Sequence, residues 1–390
     1  MSRSCWTAQC LHAIIDKVAP EFQSQGLSEL CDQLRRTNEH NDLALARSLE
    51  QRAFTELHTG PWDEIWSRWR TLYTMSLLVQ IRQNSESLGV LQMIDRALIF
   101  GDGLCRQQLT SYAVKISSDL ANQFGDEQIN VDDRIVRDAS YIGVDCSFAI
   151  PVMRSRGCDP FRFHRQFVSC GIPIILEGMI DSWPSLNERS FKNMTYLKKK
   201  MGFRTVLIES GSDYQNDPDW RPIQMTISEF IDICILANHR TGPVLYLAQN
   251  DLFDQVPELA ADVSVPDYVD FDPTSFVDEE FDSENVFAEP QVRKTVWFGP
   301  AGTLSPLHTD PENNLLCQVF GHKYVRLYED SVEFRRQKET GDVSKFNFFE
   351  GILHPGDTLF IPKGMWHHLE SLSVSFSVNF WWWDAHNKPI

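Results

Sequence analysis

The 390-residue sequence is short of long apolar runs, paired cysteines and basic charge, and each shortage removes a class of function. No stretch approaches the roughly 18 uninterrupted apolar residues that a membrane-spanning helix needs. The opening residues MSRSCWTAQC have no apolar core of the secretory kind, so export is not expected. The nine cysteines are scattered and none stands in a CxxC pair. They read as reduced thiols, neither a disulfide frame nor a structural zinc site. Lys and Arg number 36 against 54 Asp and Glu, a net charge of -18. Non-specific nucleic-acid binding draws its affinity from basic residues on phosphates, so this balance argues against it and favours basic partners instead. No HExxH occurs, which removes the commonest zinc-peptidase arrangement.

What is present divides into two textures. Residues 1–140 carry helical periodicity. Trp62, Ile65, Trp66, Trp69, Leu72 and Tyr73 fall on one helical face, and similar spacing runs through Leu11–Val18, Leu27–Leu34 and Val90–Ile99. No repeat period stands out, so this half reads as a helical domain. Residues 141–390 instead hold short β-rich runs: Ile172–Leu176, Thr205–Glu209, Val244–Ala248, Thr295–Phe298, Leu315–Val319, Tyr324–Tyr328, Thr358–Ile361 and Val374–Trp382. Turn residues separate them and few helices intervene, which points to a sandwich or barrel rather than alternating βαβ units. The chain is therefore α+β. Between Arg240 and Arg293 there is no Lys or Arg but 13 Asp and Glu, expected to be a solvated loop able to draw a basic peptide inward.

The chemistry concentrates in residues 299–328, GPAGTLSPLHTDPENNLLCQVFGHKYVRLY. His308 and Asp310 are two apart, so on an extended strand both side chains share a face. Some 58 residues later, His367 and His368 open another β-rich run, in GDTLFIPKGMWHHLE. Two imidazoles and a carboxylate with open positions opposite are the ligand set of a non-haem Fe(II) oxygenase. Lys323 follows the Gly321-His322 turn, and alternation puts it on the inward face with Val325 and Leu327. A buried ammonium needs an anion, which a dicarboxylate co-substrate would supply. On the last strand Ser375, Ser377, Asn379 and Trp381 share one face, a polar wall suited to a polar ligand.

These segments, with PIILEGMIDSWPS, YLAQNDLFDQVPEL, VPDY, WFGPAGTLSPLHTDPENN and SFSVNFWWW, closely resemble the JmjC family of Fe(II)- and 2-oxoglutarate-dependent dioxygenases. The resemblance implies a double-stranded β-helix for the second domain. It implies Fe(II) held by His308, Asp310 and His367, with His368 facing outward alongside Glu370. It places 2-oxoglutarate on Lys323, Tyr246, Ser305 and Asn314, with Trp381 beside it, and lines the substrate entrance with Glu209, Trp220 and Gln249. With O2 as second co-substrate, the expected activity is hydroxylation of a peptidyl arginine. N-methyl-lysine demethylation of histone tails by the same site, or a chromatin-associated regulator with little turnover, stand as alternatives. The expected setting is the nucleus, with a cytoplasmic fraction left open, and without membrane or specific nucleic-acid contact.

Overall fold

A computed structural model of the chain describes residues 8–24, 28–59, 67–139, 146–211, 213–237, 242–269, 292–340 and 343–383. Most of the acidic stretch, Trp62 with Ile65 and Trp66, and the DAHNKPI tail lie outside them. Among the described residues no cysteine is bonded to another, and no helix is long and apolar enough to cross a membrane.

Six helices come first: α1 (Ala8–Ser24), α2 (Ser28–His40), α3 (Leu43–Leu57), α4 (Ser67–Gln83), α5 (Ser87–Phe100) and α6 (Arg106–Leu120). Asp42 starts α3 by accepting the Leu45 N–H at 3.0 Å, one of the donors a helix start leaves unpaired. The expected one-sided pattern around Trp69 proves incomplete. Helix α4 is buried on every face from Arg68 to Ile81, as a helix at the centre of a bundle must be.

The second half is built on two sheets. Its strands are β1 (Ala149–Pro151), β2 (Met153–Arg156), β3 (Ile174–Glu177), β4 (Thr205–Ser210), β5 (Arg221–Thr226), β6 (Leu245–Asn250) and β7 (Arg293–Gly299). They continue with β8 (Leu304–His308), β9 (Asn313–Phe320), β10 (Lys323–Tyr328), β11 (Phe348–Leu353), β12 (Asp357–Ile361), β13 (Trp366–Ser371) and β14 (Ser375–Trp382). One sheet runs β1-β11-β10-β13-β8 and the other β2-β3-β12-β9-β14-β7-β6-β4-β5. This is the expected α+β architecture of helices followed by a β-sandwich closed toward a barrel. The expected runs are observed with ends shifted by up to two or three residues. Strands β1, β2 and β5, short or at a sheet edge where the local pattern is weak, add to them, as does β11 between β1 and β10.

Two apolar cores flank the nine-stranded sheet. Val325, Leu327, Leu316, Leu359, Ile361 and Leu369 fill the space between the sheets. Phe298, Phe320, Phe376, Val378 and Phe380 pack the outer face against the helix Met194–Met201 and its neighbours. The remaining inward positions are polar, and they form the site described next. The stretch after α6 lies along the sheets: Val131 N–H donates to the Lys192 carbonyl at 3.0 Å, and Arg137 pairs with Glu370 at 2.7 Å.

Candidate active site

Strand pairing assembles a metal-binding triad from two distant segments. His367 on β13 lies directly opposite His308 on β8, and a bulge follows between His367 and Leu369. Asp310, just beyond β8, closes the group. One ligand atom from each of His308, Asp310 and His367 lies within 4.8 Å of the others. His308 Nε2 is 3.8 Å from Asp310 Oδ1 and His367 Nε2 is 3.6 Å from Oδ2.

The rings are aimed by their far nitrogens. His308 Nδ1 stands 2.6 Å from the Pro306 carbonyl and His367 Nδ1 stands 2.9 Å from that of Met365. With Nδ1–H donating there, each Nε2 lone pair faces the centre of the group. Burial, with His308 beside it, pulls His367 down to about 4, so its imidazole is neutral and ready to ligate at neutral pH. The Trp381 indole N–H donates to Asp310 Oδ2 at 3.2 Å, and Arg293 stacks over that indole 4.4 Å from the ring centre. Trp381, expected beside the co-substrate, thus touches the carboxylate of the triad.

His368 departs from the expectation. Alternation does send it to the opposite face from His367, but that face is not open to water. His368 is buried and its Nε2 has no hydrogen-bond partner among the described residues, while Glu370 on the same face is covered by Arg137.

Behind the triad, Lys323 is 2% exposed. Its Nζ donates to Tyr246 Oη at 3.1 Å, and no carboxylate pairs with it among the described residues. Burial pulls the ammonium down to about 7 and pushes the Tyr246 phenol up, so Tyr246 stays protonated. Gly321 makes the approach to Lys323 possible. It has φ +76, and a Cβ there would sit 2.0 Å from the Val374 carbonyl oxygen. Gly299 does the same for Tyr246, whose ring a Cβ would meet at 2.7 Å.

Three further buried polar atoms lack partners among the described residues: Thr295 Oγ1, Trp297 Nε1 and Asn379 Oδ1. Asn379 Nδ2 donates to Asn314 Oδ1 at 2.9 Å, and Ser377 to Gln318 at 2.8 Å. A buried ammonium without an anion and orphaned polar groups beside it are costly in a closed protein. The Lys323 ammonium, the Thr295 hydroxyl and the Trp297 N–H are donors that fit a small anion such as 2-oxoglutarate, which Lys323 and Tyr246 would hold at its distal end.

Ser305 is buried on β8 opposite Leu369 and makes no hydrogen bond to Lys323. The hydroxyl beside Tyr246 is that of Thr303, which donates to Ser371 at 2.7 Å. Thr303 and Trp297 escaped the sequence reading. The alternation of Thr295 and Trp297 opposite Asn379 and Ser377 was the signal available for Trp297.

The entrance residues also gather. Glu209 lies directly opposite Tyr246 across β4 and β6. The Trp220 indole N–H donates to Glu209 Oε2 at 3.3 Å, and burial raises the Glu209 carboxyl. Gln249 sits where the pairing of β6 with β7 shifts register, with φ +45, and is exposed. The Tyr214 phenol lies within the field of Asp310, Glu209 and Asp213.

A family model described as a cupin-like domain matches residues 160–388. The chain belongs to the cupin-like JmjC family. A second model, KDM8-like N-terminal ARM repeats, matches residues 29–130, so the helical half is a repeat domain where no period was evident. "Lysine-specific demethylase JMJ30" of Arabidopsis thaliana is 30% identical over 399 residues, covering 87% of this chain and 86% of that protein. "Lysine-specific demethylase 8" of Xenopus tropicalis is 38% identical over 259 residues, 61% of this chain and 54% of that protein. Its Danio rerio namesake is 40% identical over 241 residues, 57% and 55% respectively, so the match spans about half the length of these two relatives. JmjC domains use Fe(II) and 2-oxoglutarate, and the His-Asp-His group is the set among the described residues that could hold the metal.

Proposed function

We propose that the chain is an Fe(II)- and 2-oxoglutarate-dependent oxygenase that oxidises a carbon–hydrogen bond on a cationic side chain of a basic protein. The observation that carries it is the buried Lys323, without an anion of its own, behind the His308, Asp310 and His367 triad. Iron with 2-oxoglutarate and O2 supplies the oxidation, releasing succinate and carbon dioxide. The protein's share is geometry. Met365 and Pro306 carbonyls orient the imidazoles, Trp381 orients Asp310, and Lys323 with Tyr246 fixes the co-substrate's far carboxylate.

The relatives are named lysine-specific demethylases, which favours N-methyl-lysine demethylation, and a histone tail in the nucleus is the substrate this reading proposes. A second reading, arginine hydroxylation, is favoured by Glu209 and Trp220. One desolvated carboxylate beside one indole suits a guanidinium, which pairs and stacks, better than a quaternary ammonium that prefers a cage of aromatic rings. Mass spectrometry of arginine and N-methyl-lysine peptides, incubated with Fe(II), 2-oxoglutarate and O2, decides between them. One added oxygen on arginine supports the second reading, and loss of a methyl group from lysine the first. If neither product forms while 2-oxoglutarate is consumed, the cationic-substrate reading is wrong.

A further inference from the structure

Glu209 and Trp220 form a wall between two spaces. On one side lie Tyr246 and Thr303. On the other is a cleft of about 420 Å³, within the roughly 300–1,000 Å³ of ligand sites. Its far wall belongs to the helical domain: Ile99 at the end of α5 and Arg106 at the start of α6 face Asn250 and Arg293 on the sheet.

The chemistry of this cleft is unfinished. Asn250 Oδ1 is buried without a hydrogen-bond donor among the described residues. Arg106 is exposed, its side chain donates to the Leu98 carbonyl at 3.3 Å, and it has no carboxylate in ion-pair contact among the described residues. Arg293 shares Glu312 at 3.3 Å, while Asp251 lies in the field of both arginines without pairing with either. The cleft therefore carries carboxylates at Glu209 and Asp251 and, at its helical wall, an arginine without an ion-pair contact among the described residues.

We infer that this cleft receives the polypeptide flanking the oxidised side chain, and that Arg106 selects an acidic residue on one flank of the target. The inference rests on the proposed oxygenase reading, because it takes Glu209 as the seat of the target cation. The helical domain then contributes directly to substrate choice, and the preferred sequence is of mixed charge rather than uniformly basic. Ile99 covers the bound segment from the helical side.

The test uses the full chain carrying Mn(II) and 2-oxoglutarate, with fluorescein-labelled peptides read by anisotropy. One set centres on arginine and one on N-methyl-lysine, with a glutamate scanned along both flanks and a glutamine counterpart for each. At one flank position the glutamate peptide should bind about fivefold more tightly, the yield of a partly exposed ion pair near 1 kcal/mol. Arg106→Glu should reverse that preference, so that lysine at the same position binds best. Because Arg106 is exposed, the substitution leaves the core intact. Ile99→Asp should weaken every long peptide but not one trimmed to the target residue and its two neighbours. Equal binding of glutamate and glutamine peptides at every position, or discrimination that survives Arg106→Glu, overturns the inference, as does failure of both sets to bind. Glu209→Gln separates the two readings. Loss of preference for the cationic centre with flank discrimination intact supports both the cleft and the Glu209 seat, whereas an unchanged preference removes Glu209 as the seat and leaves the cleft standing.

Discussion

Asp95 of α5 and Arg204 at the head of β4 form an ion pair across the junction of the two domains, with neither side chain exposed to solvent. Arg204 Nε and Nη2 donate to Asp95 Oδ1 at 2.9 and 2.6 Å, and the Thr205 N–H donates to Oδ2 at 2.7 Å. The Gln255 carbonyl takes Nη1, and the Gln255 amide returns a bond to the Thr205 carbonyl at 2.7 Å. Every polar group of the pair is thus met, the condition under which a buried charge is tolerated. The network sets α5, and with it Ile99, against the strand that carries Glu209.

Asp95→Ala leaves the Arg204 guanidinium buried and unmatched, which should cost about 3–5 kcal/mol of stability. Denaturant unfolding of the full chain checks this. A loss under 1 kcal/mol would mean that Arg204 finds water on removal of its partner, and that the junction is looser than its geometry states.

Lys323→Ala removes the charge expected to meet the far carboxylate of 2-oxoglutarate. Charge-assisted hydrogen bonds contribute roughly 1.5–3 kcal/mol, so the dissociation constant should rise about tenfold to a hundredfold. Titration calorimetry on the metal-loaded chain measures it directly. Tyr246→Phe should have a smaller effect in the same direction, since it removes one hydroxyl and leaves the ammonium. An unaltered constant in Lys323→Ala would remove this residue from the co-substrate site.

Local alternation revealed the faces of the strands but not what covers them. It put Lys323 with Val325 and Leu327, and Trp381 with Asn379, correctly, because a period of two needs only neighbouring residues. It sent His368 away from His367, yet could not show that Arg137, more than two hundred residues earlier, would close over that face by pairing with Glu370. The Asp95–Arg204 pair has no local signal at all, since its partners are 109 residues apart. The same holds for Thr303, whose role depends on β6 delivering Tyr246 beside it. The helical repeats stayed hidden because α4 buries polar residues such as Arg68, Thr71, Ser76 and Gln80 along with its apolar ones, which blurs any periodic pattern.

The Lys323 ammonium also gives a pH signature with a definite sign. Burial lowers it from 10.5 to about 7 in the ligand-free fold. Between those values the unfolded chain binds the extra proton, so this group makes stability rise as pH increases from about 7 toward about 10. A bound dicarboxylate restores the charge. Binding of 2-oxoglutarate above pH 7 should therefore take up a proton and weaken by up to about tenfold per pH unit. Calorimetry in buffers of different ionisation enthalpy counts the proton, and Lys323→Met should abolish the uptake.

Trp381→Phe keeps a ring under Arg293 and deletes only the N–H on Asp310. Loss of such an outer partner typically lowers metal affinity about 10–100-fold. Anaerobic equilibrium dialysis with Fe(II) reads this without turnover. If affinity holds, the 3.2 Å contact orients nothing.

The neighbouring histidines give the sharpest contrast. His367 faces the triad, with Nε2 3.6 Å from the Asp310 carboxylate and Nδ1 held by the Met365 carbonyl. His368 lies across from Arg326 on the other face, with Nε2 buried and unpartnered. His367→Ala should therefore abolish Fe(II) retention and turnover together. His368→Ala should retain the metal and leave stability equal or slightly higher. It removes a buried nitrogen without a partner and takes an imidazole away from a guanidinium, gains that offset the small cavity it creates. Fe(II) dialysis and thermal unfolding of the two variants, run side by side, settle the assignment. Metal loss in His368→Ala with retention in His367→Ala would mean that the bulge after His367 reverses the two rings when metal binds, and that the triad uses the other histidine.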